Sequence, residues 1–429
     1  MNNLRPTEVK MSRNKKHSVN TDVTLRRIPY PYKAMLVICS DLDETPDKKV
    51  YLEIMRFLNT IEETAMGRGV GLEVGNSIYF DMPQGQFAYW NTDDEGREMI
   101  RTLIKSGHID CLHSYGDLAT NREHAARALD ELDKYGCKLE VWIDHGTAPT
   151  NFGADIMEGH GDEPDHEAYH SDLTVDYGIK YIWRGRVTSV TGQDVPVSFN
   201  GIFNPKHPLA SGKTLLKEVL KRKLAQTGSA KYSMHGPNEI MSQDVLRDGR
   251  AVYEFMRCNP HWGGVSSCDQ SRNIAKVLTD VMLERLIKRN GICILYTHLG
   301  KIDNPEIPFN DETVQAFCRL AAMQKNGNIL VTTTSRLLKY SRAVREISFY
   351  CMREGKNLCI NINTKENENS LYELNESDLH GLTFYVPEVE NIRLKINNKE
   401  INRFQKNLPD YTDRTSVSLV WPALEFPEI

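Results

Sequence analysis

The sequence predicts an α/β fold: a distorted (β/α) barrel of about seven units, followed by a small C-terminal antiparallel β domain. Three observations predict it. Helical stretches alternate with short apolar strands, glycines end most of the helices, and three strands lead directly into acids or histidines. Active-site residues of such barrels lie at the carboxyl ends of the parallel strands, so these three polar segments are expected to meet.

The barrel units are read from the spacing of apolar residues. In 50–65, apolar side chains recur every three or four residues, which is typical of a helix with one buried face. The segment 185–270 has no regular pattern. The predicted elements are, in order, strand 35–39, helix 50–65, strand 69–80, helix 94–106, helix 123–135, strand 138–143, helix 173–177, strand 180–183, helix 273–288, strand 292–296, helix 311–325 and strand 329–333.

The pattern changes after about residue 345. Short alternating strands separated by Asn, Asp and Gly turns are predicted at 347–351, 358–362, 382–386, 392–396 and 416–421. The predicted organisation is therefore a disordered basic leader at 1–27, the barrel at 28–344 and the β domain at 345–429. The β domain could serve sugar binding or oligomerisation.

Composition limits the partners. The formal net charge of -5 gives no reason to expect nucleic acid or an anionic membrane as a partner. The longest apolar run, 34–39, is too short to span a membrane, and no apolar stretch of secretory type follows the basic N-terminus. Nine cysteines without a CxxC spacing favour reduced thiols, and the expected location is the cytoplasm.

Two of the polar segments carry residues suited to hydrolysis. Asp41 and Asp43 follow the first strand and point the same way if the strand continues, so one could bind a metal while the other accepts a proton from water. His113 and Asp117 are four apart, and on a helical turn they could share a metal. The alternatives are acids that solvate a loop, an N-cap from Asp117 and a packed histidine.

These segments resemble the motifs of the NodB-homology polysaccharide deacetylases. The run 107–114, Gly-His-Ile-Asp-Cys-Leu-His-Ser, resembles the family's second motif, and 40–44, Ser-Asp-Leu-Asp-Glu, resembles the first. The strand 294–298, ending in Thr-His, resembles the last. The resemblance covers about residues 30–340, although no single motif is intact.

The resemblance implies a divalent metal ion, zinc first, with nickel, cobalt, iron or manganese as alternatives. Its implied ligands are Asp43, His113 and Asp117. Asp117 stands where the family has a second ligand histidine, which changes the charge and softness of the site.

The resemblance also implies catalytic roles. Asp41 would be the base that activates water, and His298 would protonate the leaving amine. His145 lies near the third motif, where the family commonly has an arginine that orients the base. It would be a further acid or ligand.

The function expected on these grounds is metal-dependent removal of an acyl group from a carbohydrate, with N-acetyl as the preferred acyl group. The carbohydrate could be nucleotide- or lipid-linked. Two alternatives stay open. One is a glycoside hydrolase of a related barrel, in which two carboxylates flank the scissile bond. The other is a carbohydrate-binding protein without catalytic activity.

Overall fold

A computed structural model gives the architecture of residues 23–42, 44–146, 148–197, 202–203, 208–260, 268, 270–365 and 370–429. The helices of these described residues are α1 (Lys48–Asn59), α2 (Asp94–Lys105), α3 (Arg122–Lys134), α4 (Ser171–Tyr177), α5 (Pro208–Gln226), α6 (Asp280–Lys288), α7 (Asp311–Lys325) and α8 (Thr334–Glu346).

The strands of the described residues are β1 (Thr24–Arg26), β2 (Ala34–Ser40), β3 (Glu63–Thr64), β4 (Gly67–Arg68), β5 (Asn76–Ile78), β6 (Ile109–His113), β7 (Val141–Ile143), β8 (Tyr181–Trp183), β9 (Val187–Thr188), β10 (Met241–Val245), β11 (Ala251–Phe255), β12 (Arg257–Cys258), β13 (Ile292–Thr297), β14 (Ile329–Val331), β15 (Ser348–Glu354), β16 (Asn357–Asn363), β17 (Thr383–Tyr385), β18 (Ile392–Ile396), β19 (Lys399–Ile401), β20 (Gln405–Asn407) and β21 (Ser416–Ser418).

One large curled sheet forms the centre of the molecule. Its strands run in the order β10-β11-β8-β7-β6-β5-β2-β13-β12-β9, and β14 pairs with β2. All of these pairings are parallel except that of β10 with β11. The expected α/β fold with a mostly parallel sheet is thus confirmed, while a count of about seven barrel units stays a prediction.

The core lies on both faces of this sheet. In β2, Ala34, Leu36 and Ile38 belong to one apolar cluster, and the intervening residues belong to a second cluster on the other side, which contains α8 and the C-terminal strands. Successive strand residues point to opposite faces, so a strand that is covered on both sides must be apolar throughout. That requirement explains the unbroken apolar run by which β2 was predicted.

Two predicted helices are shorter in the structure because each has a local stop. The helix predicted at 50–65 ends at Asn59, where the Thr60 N–H bonds the Arg56 carbonyl, and the β3–β4 hairpin follows. The helix predicted at 273–288 divides into a 3-10 turn, Ser271–Lys276, and α6. Thr279 separates them because its side chain caps α6 by accepting a hydrogen bond from the Met282 N–H.

The C-terminal strands form two small sheets, in the orders β15-β16-β18-β19 and β1-β17-β21-β20. The predicted antiparallel domain needs one correction, because β16 and β18 pair in parallel. The connection between them, which contains β17, crosses to the other sheet and returns, and this allows a parallel pair.

The predicted disordered leader, 1–27, is wrong for its last residues, because Thr24–Arg26 form β1. β1 pairs with β17, and residues 1–22 lie outside the described residues. Arg26 is buried, and its Nε lies 2.9 Å from a carboxylate oxygen of Asp410, which is buried as well. A buried ion pair therefore joins the start of the described chain to its C-terminal region.

No helix within the described ranges is long and apolar enough to cross a membrane.

Replacing Arg26 by Met should lower the free energy of unfolding by about 1–3 kcal/mol, because the Asp410 carboxylate would lose its cation and keep only hydrogen bonds from Tyr385 and Thr412. Denaturant unfolding followed by circular dichroism measures this. Arg393→Gln is the matched control: its ion pairs are half-exposed and long, so its loss should cost less than about 1 kcal/mol. Equal effects of the two substitutions would contradict the buried-pair interpretation.

Candidate functional site

The predicted site residues gather at the carboxyl ends of the parallel strands. Asp41 follows β2, His113 ends β6, His145 follows β7 and His298 follows β13. The register aligns these ends, since Thr297 lies opposite Ser40 and His113 lies opposite Ile143. Five of the six predicted residues are described, and all five belong to this one cluster.

Asp41 is buried and engaged by two neighbours. Arg257 donates to both of its carboxylate oxygens, at 2.9 and 3.3 Å, and the Ser77 hydroxyl donates to Oδ1 at 3.1 Å. Burial alone would raise the pKa of Asp41, but the Arg257 guanidinium holds this pKa well below its usual range. Asp41 is therefore ionised and is a weak proton acceptor.

Arg257 was missed by sequence reasoning. It opens β12, is fully buried, and its guanidinium carbon lies 4.2 Å from the centre of the Trp183 ring and 5.1 Å from that of Tyr296. An arginine between apolar residues in 255–258, Phe-Met-Arg-Cys, was the available signal, since a buried cation requires an anion. The structure places this arginine, the first residue of β12, beside Asp41.

His113 is held as a neutral ring of defined tautomer. Burial is the main reason why its pKa lies well below the usual value. Its Nδ1 is 2.9 Å from Ser77 Oγ. The single Ser77 hydrogen is donated to the Asp41 carboxylate, so Nδ1 carries the hydrogen and donates to Ser77. The lone pair is then on Nε2, which lies 3.5 Å from the Tyr79 hydroxyl.

The helical turn predicted for His113 and Asp117 does not form. The chain leaves β6 through three residues in the left-handed region, Ser114, Tyr115 and Gly116. A Cβ at Gly116 would come within 2.3 Å of the Asp81 carbonyl oxygen, so only glycine is accommodated there. This turn carries Asp117 away from His113 and toward the loop that follows β7.

Asp117 instead forms a dyad with His145. Its Oδ1 lies 2.7 Å from His145 Nδ1, and this hydrogen bond is the main reason why the pKa of Asp117 is lowered. The two side chains are 40% and 22% exposed, whereas Asp41 and His113 are sealed from solvent. The His145 ring lies 4.9 Å from the His113 ring, centre to centre. The dyad is thus the accessible part of the cluster.

His298 completes the cluster from the opposite side of Asp41. It is buried, and its Nε2 lies 3.1 Å from the Tyr296 hydroxyl. The backbone N–H of Asp41 donates to the carbonyl of Thr297, so a hydrogen bond fixes the residue before His298 next to Asp41.

The predicted metal ligands do not make a complete site among the described residues. Asp43 lies outside them. Within the described ranges, no three His, Cys, Asp or Glu side chains are placed to hold a metal ion together. Nδ1 of His113 is used by Ser77, and Asp117 is bonded to His145.

Asp144 precedes His145 and has a structural role. It is fully buried, and Oδ1 accepts hydrogen bonds from Trp142 Nε1 at 2.7 Å and from the Phe152 N–H at 2.9 Å. Burial raises its pKa to about 7. This carboxyl group fastens the loop that presents His145.

The comparisons with known proteins place the chain in no family. No protein-family model and no curated protein sequence matches it. Among solved structures, it is similar to an endo-beta1,6-glucanase, with a TM-score of 0.31 and 9% identity over 95% of this chain and 96% of that chain. A likeness at this level carries no argument about function.

Asp144→Asn should change how stability depends on pH. The unfolded chain releases the Asp144 proton near the ordinary value of 3.8, and the folded chain releases it near 7, so this group lowers stability as pH rises through that window. Asparagine keeps the oxygen acceptor and cannot ionise. The melting temperature of the variant minus that of the wild type should therefore be larger at pH 8 than at pH 4.

The control is Asp130→Asn on the exposed side of α3. Its melting temperature should differ from that of the wild type by the same amount at both pH values. Thermal melts across the pH range measure the effect. A pH-independent difference between Asp144→Asn and the wild type would contradict the raised pKa.

Proposed function

We propose that the protein is a hydrolase that removes an acyl group from a carbohydrate, with N-acetyl as the preferred acyl group. The observation that carries the proposal is the partly exposed Asp117–His145 dyad beside the sealed Asp41–Arg257 pair at the strand ends. The dyad supplies a group that can take and return a proton. The choice of acyl group and sugar rests on the resemblance of the strand-end segments to the deacetylase motifs.

His145 is the proposed general base. Asp117 accepts the hydrogen of Nδ1, which fixes the ring and stabilises the imidazolium that forms when Nε2 takes a proton. His145 then removes a proton from water, and the hydroxide adds to the acyl carbon. The resemblance gave the role of base to Asp41, but a carboxylate that is buried, bonded on both oxygens and held at a low pKa accepts a proton poorly.

Asp41 is accordingly proposed as a positioning residue. Its charge orients Ser77, and Ser77 fixes the tautomer of His113. His298 keeps its predicted role as the acid that protonates the departing nitrogen. The C–N bond breaks, and the proton that His145 took from water passes through solvent to restore His298, so the net change is the addition of one water across that bond.

The activity test is release of acetate from N-acetylated amino sugars and their oligosaccharides. His145→Ala should lower kcat by about 10²- to 10⁴-fold, the usual contribution of a general base. Asp117→Asn should lower it less, because the ring keeps its hydrogen bond and loses the stabilising charge. His160→Gln, which changes a half-exposed histidine paired with Glu163, is the matched control and should leave kcat unchanged.

The same samples discriminate the alternatives. New reducing ends without acetate would favour a glycoside hydrolase. Binding of glycans with no turnover by the wild type would favour a carbohydrate-binding protein. Unchanged acetate release by His145→Ala would contradict the assigned base even if the activity itself is present.

The metal dependence implied by the resemblance is tested separately. If Asp43, His113 and Asp117 hold a divalent ion, elemental mass spectrometry of the purified protein should find about one equivalent of zinc, nickel, cobalt, iron or manganese, as one site requires. His113→Ala should lose that metal, and His160→Gln should retain it. Protein that stays without metal after soaking in each of these ions would contradict the prediction.

A further inference from the structure

Helix α5 presents its apolar side chains outward. Five of the fifteen large hydrophobic residues that are exposed in the described part of the chain lie on this helix. They are Leu209 (84% exposed), Leu216 (63%), Leu220 (52%), Leu224 (44%) and Val219 (42%). At 100° per residue all five fall within one side of the helix. A helix of a soluble domain normally turns such a side toward the core.

The inward side of α5 is polar. Ser211, Thr214 and Glu218 are all buried. A carboxylate oxygen of Glu218 is 3.3 Å from Lys221 Nζ, and the same ammonium donates to the Val187 carbonyl at 2.9 Å. The Ser189 N–H also donates to Glu218, at 3.3 Å, so hydrogen bonds from Lys221 and to Glu218 attach the helix to the barrel. The outward side carries the exposed leucines with Lys223 among them, so this surface is both apolar and cationic.

Charge indicates what that partner is. The helix has five cationic residues and one acid, Glu218, which points inward. Lys217 and Lys223 lie on the same side as the leucines. A second copy of this surface would bring these lysines against their equivalents, which is unfavourable. An apolar layer with anionic groups at its boundary matches both the leucines and the lysines.

We propose that α5 binds the surface of an anionic lipid bilayer, with Leu216 and Leu220 in the acyl boundary and Lys217 and Lys223 at the headgroups. The helix has 19 residues and is about 28 Å long, enough for several turns to lie along the surface. This binding is peripheral. It places the protein, and with it the strand-end cluster, at a lipid surface.

The test is co-sedimentation of the full-length protein with vesicles of phosphatidylcholine alone or with phosphatidylglycerol added. Anionic vesicles should bind at least about tenfold more protein than neutral ones, and raising the salt concentration should release it. Leu216→Ser with Leu220→Ser should abolish binding, and Lys217→Glu with Lys223→Glu should reduce it strongly.

Two matched variants control for surface changes elsewhere. Leu408→Ser alters a leucine that is 77% exposed, and Lys399→Glu reverses an exposed lysine; both should bind like the wild type. Circular dichroism melts verify that every variant is folded. Failure to bind anionic vesicles, or binding that the α5 variants leave intact, would overturn the proposal. A different result would assign this surface to a second copy of the chain. In that case the wild type would be a dimer by light scattering, would not bind vesicles, and would become a monomer when Leu216 and Leu220 are both replaced by Ser.

Discussion

A carboxylate and a guanidinium that are both sealed from water, those of Asp41 and Arg257, set the arrangement of the strand ends around them. Each charge would be costly alone, and together they require the chain to bring β2 and β12 into a fixed relation. The ionised Asp41 then dictates the direction of the Ser77 hydroxyl, and that hydroxyl dictates which nitrogen of His113 carries its hydrogen. A single ion pair thus determines the electrostatic character of the inner part of the cluster.

The outer part of the cluster depends on backbone geometry. A left-handed turn after β6, possible only because residue 116 is glycine, directs Asp117 to His145. The buried Asp144 holds the loop from which His145 projects. The inner residues are therefore ordered by charge and the outer dyad by conformation. This division explains why the accessible histidine, and not the buried carboxylate, is placed to exchange protons with solvent.

Helix α5 is locally cationic although the net charge of the whole chain is negative. The net charge of -5 gives no reason to expect an anionic partner, yet one helix collects five cations and turns its leucines outward. Helical periodicity identifies which residues share a side, but it does not say which side faces the barrel. That choice follows from Glu218 and Lys221, which bond to the Ser189 N–H and to the Val187 carbonyl, outside the helix.

Local sequence patterns were sufficient to predict the features that depend on neighbouring residues. Apolar runs such as that of β2, the helix α7 at 311–325 and the position of His113, His145 and His298 at strand ends all follow from local periodicity and propensity. Tertiary structure decided the rest: the pairing of Asp41 with Arg257, 216 residues apart, the partner of Asp117, the parallel β16–β18 pair and the outward side of α5. Each of these depends on which distant groups satisfy a buried charge, a hydrogen bond or a strand edge, and local sequence patterns carry no information about such partners.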